Sequence, residues 1–199
     1  MKFLIIEDNP SDRKILLWTL QKNFRDSEFV NIIRQKDFYE AISQHDFHVV
    51  ITNYHLEWTD GLWILKTSKG RTPYVPVIMV ADTKNEEVFA EDVRSGLDGF
   101  VIKTHLDSLP ALINESLEKT SLRKLYDEAR SFVNDASDAI FAVDAEGNLL
   151  NVNKKAVALT GYAREELFCM NLVQLHPKAE IERIVTAFKK PCRQDNQAL

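Results

Sequence analysis

The sequence predicts an α/β protein, in which a parallel, doubly wound sheet of five strands is followed by a helical connector and a partial α+β domain. Two observations indicate the doubly wound part. Five short, nearly continuous apolar runs recur through the first half of the chain, and segments with helical spacing separate them. A hairpin pattern that begins near residue 140 indicates that the second part is built differently.

The five predicted strands are apolar at nearly every position, and most are rich in β-branched residues. Such runs are typical of strands in a parallel sheet, because helices cover both faces of the sheet. The predicted strands span residues 3–6, 30–33, 49–51, 77–80 and 100–102.

Helices are predicted between the strands. In the first of them Leu16, Leu20 and Phe24 recur every four positions, which places them on one helical face. Thr19 is a polar residue off that stripe. The alternation of strands with helices of this length predicts the doubly wound fold. The predicted helices span residues 12–24, 37–45, 61–69 and 85–94.

A fifth helix is predicted to begin after Ser108, with Pro110 in its first turn, and to form a connector over residues 107–135. No glycine or proline follows until Gly147, which favours a helix over a flexible linker. Apolar residues at alternating three- and four-residue steps make about two heptads, which fit a dimeric rod or a single helix packed on its own domain. They are Leu122, Leu125, Ala129, Phe132 and Ala136.

The second domain is predicted over residues 136–199 and starts with a two-stranded hairpin. An isolated hairpin is only marginally stable, so this domain is expected to be partial. Its predicted elements are strands at 140–144 and 149–153, helical segments at 154–160 and 164–167, and an amphipathic run at 181–188.

Composition excludes several classes of protein. No apolar run approaches the roughly 20 residues that cross a bilayer, and acidic residues interrupt the apolar start, so neither a membrane span nor a signal peptide is predicted. The formal charge is −5 and the basic residues are scattered among acids, which argues against a nucleic-acid partner. Cys169 and Cys192 match neither a zinc site nor a disulfide scaffold. We therefore predict a cytoplasmic protein.

Polar residues follow the predicted strands at the edge where a doubly wound sheet binds its ligands. Glu7 and Asp8 follow the first strand, Asn53 the third, and Lys103 the fifth. Ala81 follows the fourth. Two carboxylates opposite a lysine fit a magnesium and phosphoryl site, because hard cations prefer oxygen ligands. The alternative is that Glu7 and Asp8 only cap a loop.

On these residues the first part of the chain, about residues 1–120, resembles the receiver domain of two-component response regulators, which has a flavodoxin-like fold. The resemblance implies that an acidic pair binds magnesium and that the third strand ends in the aspartate that accepts phosphate from a histidine kinase. It also implies a Ser or Thr after the fourth strand, a lysine after the fifth, and an aromatic switch residue before that lysine. The matching segments are residues 5–9, Asn53 with Asp60 and Gly61, residues 76–80, and residues 99–103.

The match to the receiver pattern is uneven. Glu7, Asp8 and Lys103 agree with it, and Phe100 occupies the switch position without a hydroxyl group. The departures are Asn53 at the phosphoacceptor position, Ala81 at the hydroxyl position, Thr104 at a usual proline, and Glu57 at a frequent loop proline.

An acyl phosphate needs a carboxylate nucleophile, and an amide is not one. We therefore predict that Asn53 is not phosphorylated, that Ala81 cannot sense a phosphoryl group, and that Glu7 and Asp8 form a weak or unoccupied magnesium site. The expected function is that of a pseudo-receiver, meaning a receiver fold kept for interaction or dimerisation without phosphorelay. The alternative is a receiver that is phosphorylated after deamidation of Asn53, or at His55 or Asp60.

From about residue 126 the chain resembles the start of a PAS sensor domain, on residues 138–144, 147–153, 160–162, 164–167 and 175–177. Flavin-binding members of that family carry an Asn-Cys pair where this chain has Asn171 and Leu172, so no cofactor-binding residue is predicted. Cys169 is expected to be a small core residue.

The two resemblances imply a signalling protein without enzymatic activity or catalytic residues. The expected partners are a second copy, bound through the receiver and connector helix, and a histidine kinase or downstream effector; neither nucleic acid nor a membrane is expected. A further hypothesis is that the PAS domain senses a small molecule for an effector outside this chain.

Overall fold

The computed structural model describes residues 1–44, 46–82, 96–183 and 186. The chain divides into two compact units, Met1–Leu125 and Tyr126–Leu199. In the described residues, no helix has the length and apolar character needed to cross a membrane.

The first unit contains one parallel sheet of five strands, in the order β2-β1-β3-β4-β5, which confirms the predicted fold class. From β1 the chain forms β2 on one side and then returns to form β3 on the other. The strand order therefore reverses between β1 and β3, and a crevice opens at their carboxyl ends. The strands are β1 Lys2–Ile6, β2 Glu28–Ile32, β3 Val49–Asn53, β4 Val77–Ala81 and β5 Gly99–Ile102.

Four described helices accompany this sheet, and the starts of two of them are set by side-chain caps. Asn9 accepts hydrogen bonds from the backbone N–H groups of Ser11 and Asp12, and Asp60 accepts one from Trp63. The predicted helix over residues 85–94 lies outside the described residues. A short 3-10 helix, Lys103–Ser108, links β5 to the fourth helix. The helices are α1 Pro10–Asn23, α2 Gln35–Ile42, α3 Gly61–Arg71 and α4 Leu109–Asp135.

Both faces of the sheet are buried, which explains why its strands are apolar without alternation. One face packs against α1 and α4, through residues such as Leu20 and Ile113. The opposite face packs against α2 and α3, through residues such as Phe38 and Leu65. Thr19 is also buried, and its hydroxyl group donates to the carbonyl of Ile15 at 3.1 Å.

Helix α4 changes character along its length. Its first part packs on the sheet and buries Leu109, Ile113 and Thr120. Beyond that point the heptad residues face solvent, with Leu125 64% exposed and Phe132 82% exposed. The stripe is therefore not explained by packing of the helix on its own domain.

The second unit contains the predicted hairpin, in which β6 Phe141–Val143 and β7 Leu149–Val152 pair antiparallel. Gly147 lies in the turn with φ of 86°, a conformation that favours glycine. Two short helices follow, α5 Lys154–Thr160 and α6 Arg164–Leu167, and then 3-10 helices at Leu172–Leu175 and Lys178–Glu180.

The core of the second unit is small, and its buried members are Leu149, Val152, Ala156 and Leu167. The expectation that Cys169 belongs to this core is wrong, since Cys169 is exposed just after α6. The chain leaves the helix at Leu167, the last buried position, so the residues that follow turn away from the core. Of the predicted run over 181–188, residues 181–183 and 186 are helical, and the remainder lies outside the described residues.

Candidate functional site

The candidate site is an open cleft of about 540 Å³ at the carboxyl ends of β1, β3 and β5, where the strand order reverses. The structure brings Asp8, Asn53 and Lys103 together there. Glu7 lies beneath them, almost fully buried. The cleft is also lined by Asn9, Pro10, Asp12, His55, Leu56, Glu57 and Asp82.

Asn53 and Glu7 are joined by a buried hydrogen bond. Asn53 is the last residue of β3, and its Nδ2 donates to Oε1 of Glu7 at 3.2 Å. The backbone N–H of Asn9 donates to the same oxygen at 3.0 Å. Burial raises the pKa of Glu7, and the hydrogen bonds from Asn9 and Asn53 oppose that effect. The amide at the acceptor position therefore serves as a donor to the neighbouring carboxylate.

Asp8 is tied to the loop between β3 and α3. Its Oδ2 accepts a hydrogen bond of 2.5 Å from the backbone N–H of Glu57. A proline at that position would have no N–H to donate, so the replacement of the frequent loop proline by Glu57 makes this contact possible. Arg13 holds the same segment by donating to the carbonyl oxygens of Glu7 and Asp8 at 2.8 and 3.3 Å.

Lys103 was expected to face Glu7 and Asp8, but it pairs with two other carboxylates. Its Nζ lies 2.5 Å from Asp12 Oδ2 and 3.2 Å from Asp82 Oδ1. Burial favours the neutral form of Lys103, but the hydrogen bonds to Asp12 and Asp82 outweigh it, so the pKa of Lys103 lies above its ordinary value.

The two ion-pair partners of Lys103 could have been predicted from the sequence. Asp12 lies four residues after Asp8 in the first turn of α1, and Asp82 directly follows β4. Both positions belong to the carboxyl edge of the sheet, where Lys103 also lies.

Three further residues singled out from the sequence lie at or near the ends of β4 and β5. Ala81 is the last residue of β4 and is buried, and its methyl group offers no hydrogen bond to a phosphoryl group. Phe100 is a half-buried residue of β5, paired in register with Met79. The hydroxyl group of Thr104 lies 2.9 Å from Nδ1 of its neighbour His105.

Asp60, one of the alternative acceptors, has a structural role. Its Oδ1 accepts a hydrogen bond of 2.7 Å from Trp63 N at the start of α3, and its backbone forms an isolated β-bridge with His55. This cap fixes the Asp60 side chain at the start of α3 through one of its two carboxylate oxygens.

The carboxylates of the cleft are divided among different partners. Glu7 is bonded to Asn53 and Asn9, Asp8 to Glu57, and Asp12 to Lys103. Across the described ranges, no group of three or more His, Cys, Asp and Glu side chains is arranged to hold a metal ion. The weak magnesium site at Glu7 and Asp8 stays a prediction.

Comparisons with known families match both parts of the chain. The family model of the response regulator receiver domain matches residues 3–114, and that of the PAS fold matches residues 127–198. Among curated proteins, no significant relative was found.

Solved structures with the same fold include NtrX from Brucella abortus in complex with ADP, at 22% sequence identity and a TM-score of 0.58, over 64% of this chain and 29% of that one. The receiver domain of Francisella response regulator 1452 is 22% identical with a TM-score of 0.51, over 60% of this chain and 98% of that one. A CheY-like receiver domain protein from Methanospirillum hungatei JF-1 is 19% identical with a TM-score of 0.55, over 61% of this chain and 97% of that one.

At these identities the similarity to solved structures shows the fold alone, and this chain spans only 29% of the length of NtrX. The family models carry the assignment, since the receiver match covers more than half of the 199 residues. The chain belongs to the response regulator receiver family and carries a PAS fold after its receiver domain, which is the composition of a two-component signalling protein.

Proposed function

We propose that the receiver domain of this signalling protein is a pseudo-receiver, which is not phosphorylated and acts as an interaction and dimerisation module coupled to the PAS region. The observation that carries the proposal is Asn53 at the end of β3, with its amide bonded to Glu7. No catalytic activity is assigned to the chain, and its place of action is proposed to be the cytoplasm.

The chemistry of the amide supports this proposal. A phosphoacceptor attacks phosphorus with a carboxylate oxygen, whereas the Asn53 amide nitrogen is delocalised and its oxygen is a poor nucleophile. Its Nδ2 is also occupied by the hydrogen bond to Glu7. The position is therefore suited to holding β1 and β3 together.

Two neighbouring residues add support. Ala81 has no hydroxyl group for a phosphoryl oxygen. The Lys103 ammonium group is engaged by Asp12 and Asp82, so a phosphoryl group at Asn53 would compete with two carboxylates for it. The carboxylate acceptor and the hydroxyl group are thus both missing, and the lysine that remains is engaged by other carboxylates.

We propose that the chain interacts with a second copy of itself to form a dimer. The heptad residues Leu122, Leu125 and Phe132 are exposed along α4, and a parallel pair of such helices would bury them against each other. The proposed domain bounds are residues 1–120 for the receiver, 107–135 for the connector and 136–199 for the PAS part. A histidine kinase or a downstream effector is the proposed further partner.

The direct test is phosphorylation by acetyl phosphate with magnesium, followed by intact mass measurement. We expect no stable gain of one phosphate by the wild-type chain, while an aspartate-bearing receiver treated in parallel gains it. Asn53→Asp is expected to stay unmodified as well, because Ala81 and Thr104 remain in place. A stable phosphate on the wild-type chain would overturn the proposal. A phosphate on Asn53→Asp alone would show that only the nucleophile was lost.

A further inference from the structure

The second unit contains an open groove of about 470 Å³ between the end of α4 and the surface formed by β7 and α6. A volume of this size lies within the range of about 300–1,000 Å³ that is common for small-molecule sites. We call it the arginine groove. It is lined by Tyr126, Arg130 and Val133 of α4, by Asn151 of β7, and by Arg164 and Phe168.

The arginine groove is positively charged. Arg130 and Arg164 contribute guanidinium groups, and the described residues that line the groove include no aspartate or glutamate. Within the described part of the chain, neither arginine forms an ion pair with a carboxylate. Among the described residues, neither guanidinium group is thus neutralised by an ion pair, and an anion that enters the groove would supply that partner.

Arg164 is held in position. Its Nη2 donates a hydrogen bond of 2.6 Å to Oδ1 of Asn151, and its guanidinium carbon lies 5.5 Å from the centre of the Phe168 ring. A guanidinium group has five N–H donors, so most of them remain for a ligand. This planar group can bind the two oxygens of a carboxylate at once.

The walls of the groove are fixed to each other by Asn153, which is fully buried. Its Nδ2 donates to the carbonyl oxygens of Val133 and Asp138, at 3.0 and 2.9 Å. Its Oδ1 accepts from the backbone N–H groups of Ile140 and Ala156, at 3.0 and 2.9 Å. Asn153 therefore ties α4 to the hairpin, and a ligand would meet a preformed groove.

Two exposed aromatic rings complete the surface, since Tyr126 is 66% exposed and Phe168 is 44% exposed. Aromatic rings next to cations favour a ligand with a planar apolar body and an anionic end. We propose that the arginine groove binds a small aromatic carboxylate, with the carboxylate between Arg130 and Arg164 and the ring against Tyr126 and Phe168. The proposal does not depend on the state of the receiver domain.

The test is calorimetric titration of the full chain with 2-naphthoate, with the neutral 2-naphthamide as a matched ligand. We expect saturable binding of the carboxylate, and binding of the amide weaker by about tenfold or more, which corresponds to about 1.4 kcal/mol. The variants Arg164→Gln and Arg130→Gln should each weaken the binding of 2-naphthoate by a similar factor.

Arg123→Gln is the control, since Arg123 is exposed on the same helix and does not line the groove. It removes the same charge and should leave the affinity unchanged. Arg164→Gln could disturb folding because it removes the hydrogen bond to Asn151. In that case the affinity of Arg130→Gln for 2-naphthoate tests the proposal, because Arg130 is an exposed helical residue. Equal affinity for carboxylate and amide, equal weakening by Arg123→Gln, or no saturable binding would each overturn the proposal.

Discussion

The side-chain amide of Asn53 donates a hydrogen bond to the carboxylate of Glu7 over 3.2 Å, and this bond joins the carboxyl ends of β3 and β1. Both side chains are buried. An ionised aspartate could not make this contact, because it has no hydrogen to donate and would carry the same charge as Glu7. The geometry at the acceptor position thus depends on the amide.

Asn53→Asp is expected to lower the free energy of unfolding by about 1–3 kcal/mol near neutral pH, because a buried donor is replaced by a second carboxylate. Magnesium should recover part of this loss by neutralising the pair. Denaturant unfolding with and without magnesium measures both effects. The control Asn53→Ala removes the hydrogen bond without adding charge, and its stability should not respond to magnesium. An equal magnesium response in the two variants would contradict this account.

Glu7→Gln should alter the pH dependence of stability. Burial raises the pKa of Glu7, so the folded state holds the proton more tightly than the unfolded state does. The stabilising contribution is fully present below the unfolded pKa of about 4.5 and is lost as pH rises through the folded pKa. Glutamine cannot lose a proton in this way and keeps an oxygen for the Asn53 bond.

The unfolding free energy of Glu7→Gln is therefore expected to fall less than that of the wild type between acidic and neutral pH. Denaturant unfolding across this pH interval provides the measurement. Glu40→Gln, on the exposed surface of α2, is the matched control and should follow the wild-type profile. Parallel profiles for Glu7→Gln and the wild type would show that Glu7 does not titrate differently in the two states.

Lys103→Met is expected to strengthen magnesium binding in the cleft by at least about tenfold, which corresponds to about 1.4 kcal/mol. The ammonium group of Lys103 occupies Asp12 and Asp82, and its removal frees both carboxylates for a divalent cation. Calorimetric titration with magnesium measures the change. Lys14→Met, an exposed site on α1, makes the same change in net charge away from the cleft. If both variants bind magnesium alike, the effect comes from net charge alone.

Phe132→Glu and Leu125→Glu are expected to shift a dimer toward monomers, raising the dissociation constant by at least about tenfold. Each places a charge on the apolar stripe of α4, where two helices would meet. Light scattering coupled to size exclusion over a range of protein concentrations gives the constants. Lys124→Glu, an exposed position off the stripe, should leave the dimer intact. A wild-type chain that stays monomeric at high concentration would refute the dimer.

The sheet could be predicted from the sequence because burial on both faces leaves a mark on every strand residue. All five residues of β3 and of β4 are buried, and their apolar runs carry that information directly. The start of α1 was harder to place, since it depends on Asn9 capping Ser11 and Asp12. Such caps move a boundary by a few residues without changing the hydrophobic pattern.

The second unit was less predictable at the level of single side chains. Cys169 has the size and polarity of a core residue, yet it follows α6 at an exposed position. Short helices and 3-10 turns have no long repeat from which a buried face can be read. In this unit, the exposure of a side chain depends on the point at which the backbone turns away from the core.

Which residues line the cleft could be predicted from the sequence, because in a doubly wound sheet the residues at the carboxyl ends of the strands meet at one edge. Glu7 and Lys103 directly follow β1 and β5, whereas Asn53 and Ala81 are the last residues of β3 and β4. The loss of the carboxylate nucleophile is visible in the sequence.

The hydrogen-bond and ion-pair partners of these residues are determined only by the tertiary structure. Asn53 bonds to Glu7, while Lys103 pairs with Asp12 and Asp82 instead of with the residues expected to face it. Hydrogen bonds and ion pairs depend on distances of a few tenths of an ångström, and a linear pattern does not contain such distances. The same holds for the arginine groove, whose two cations are brought together from α4 and α6.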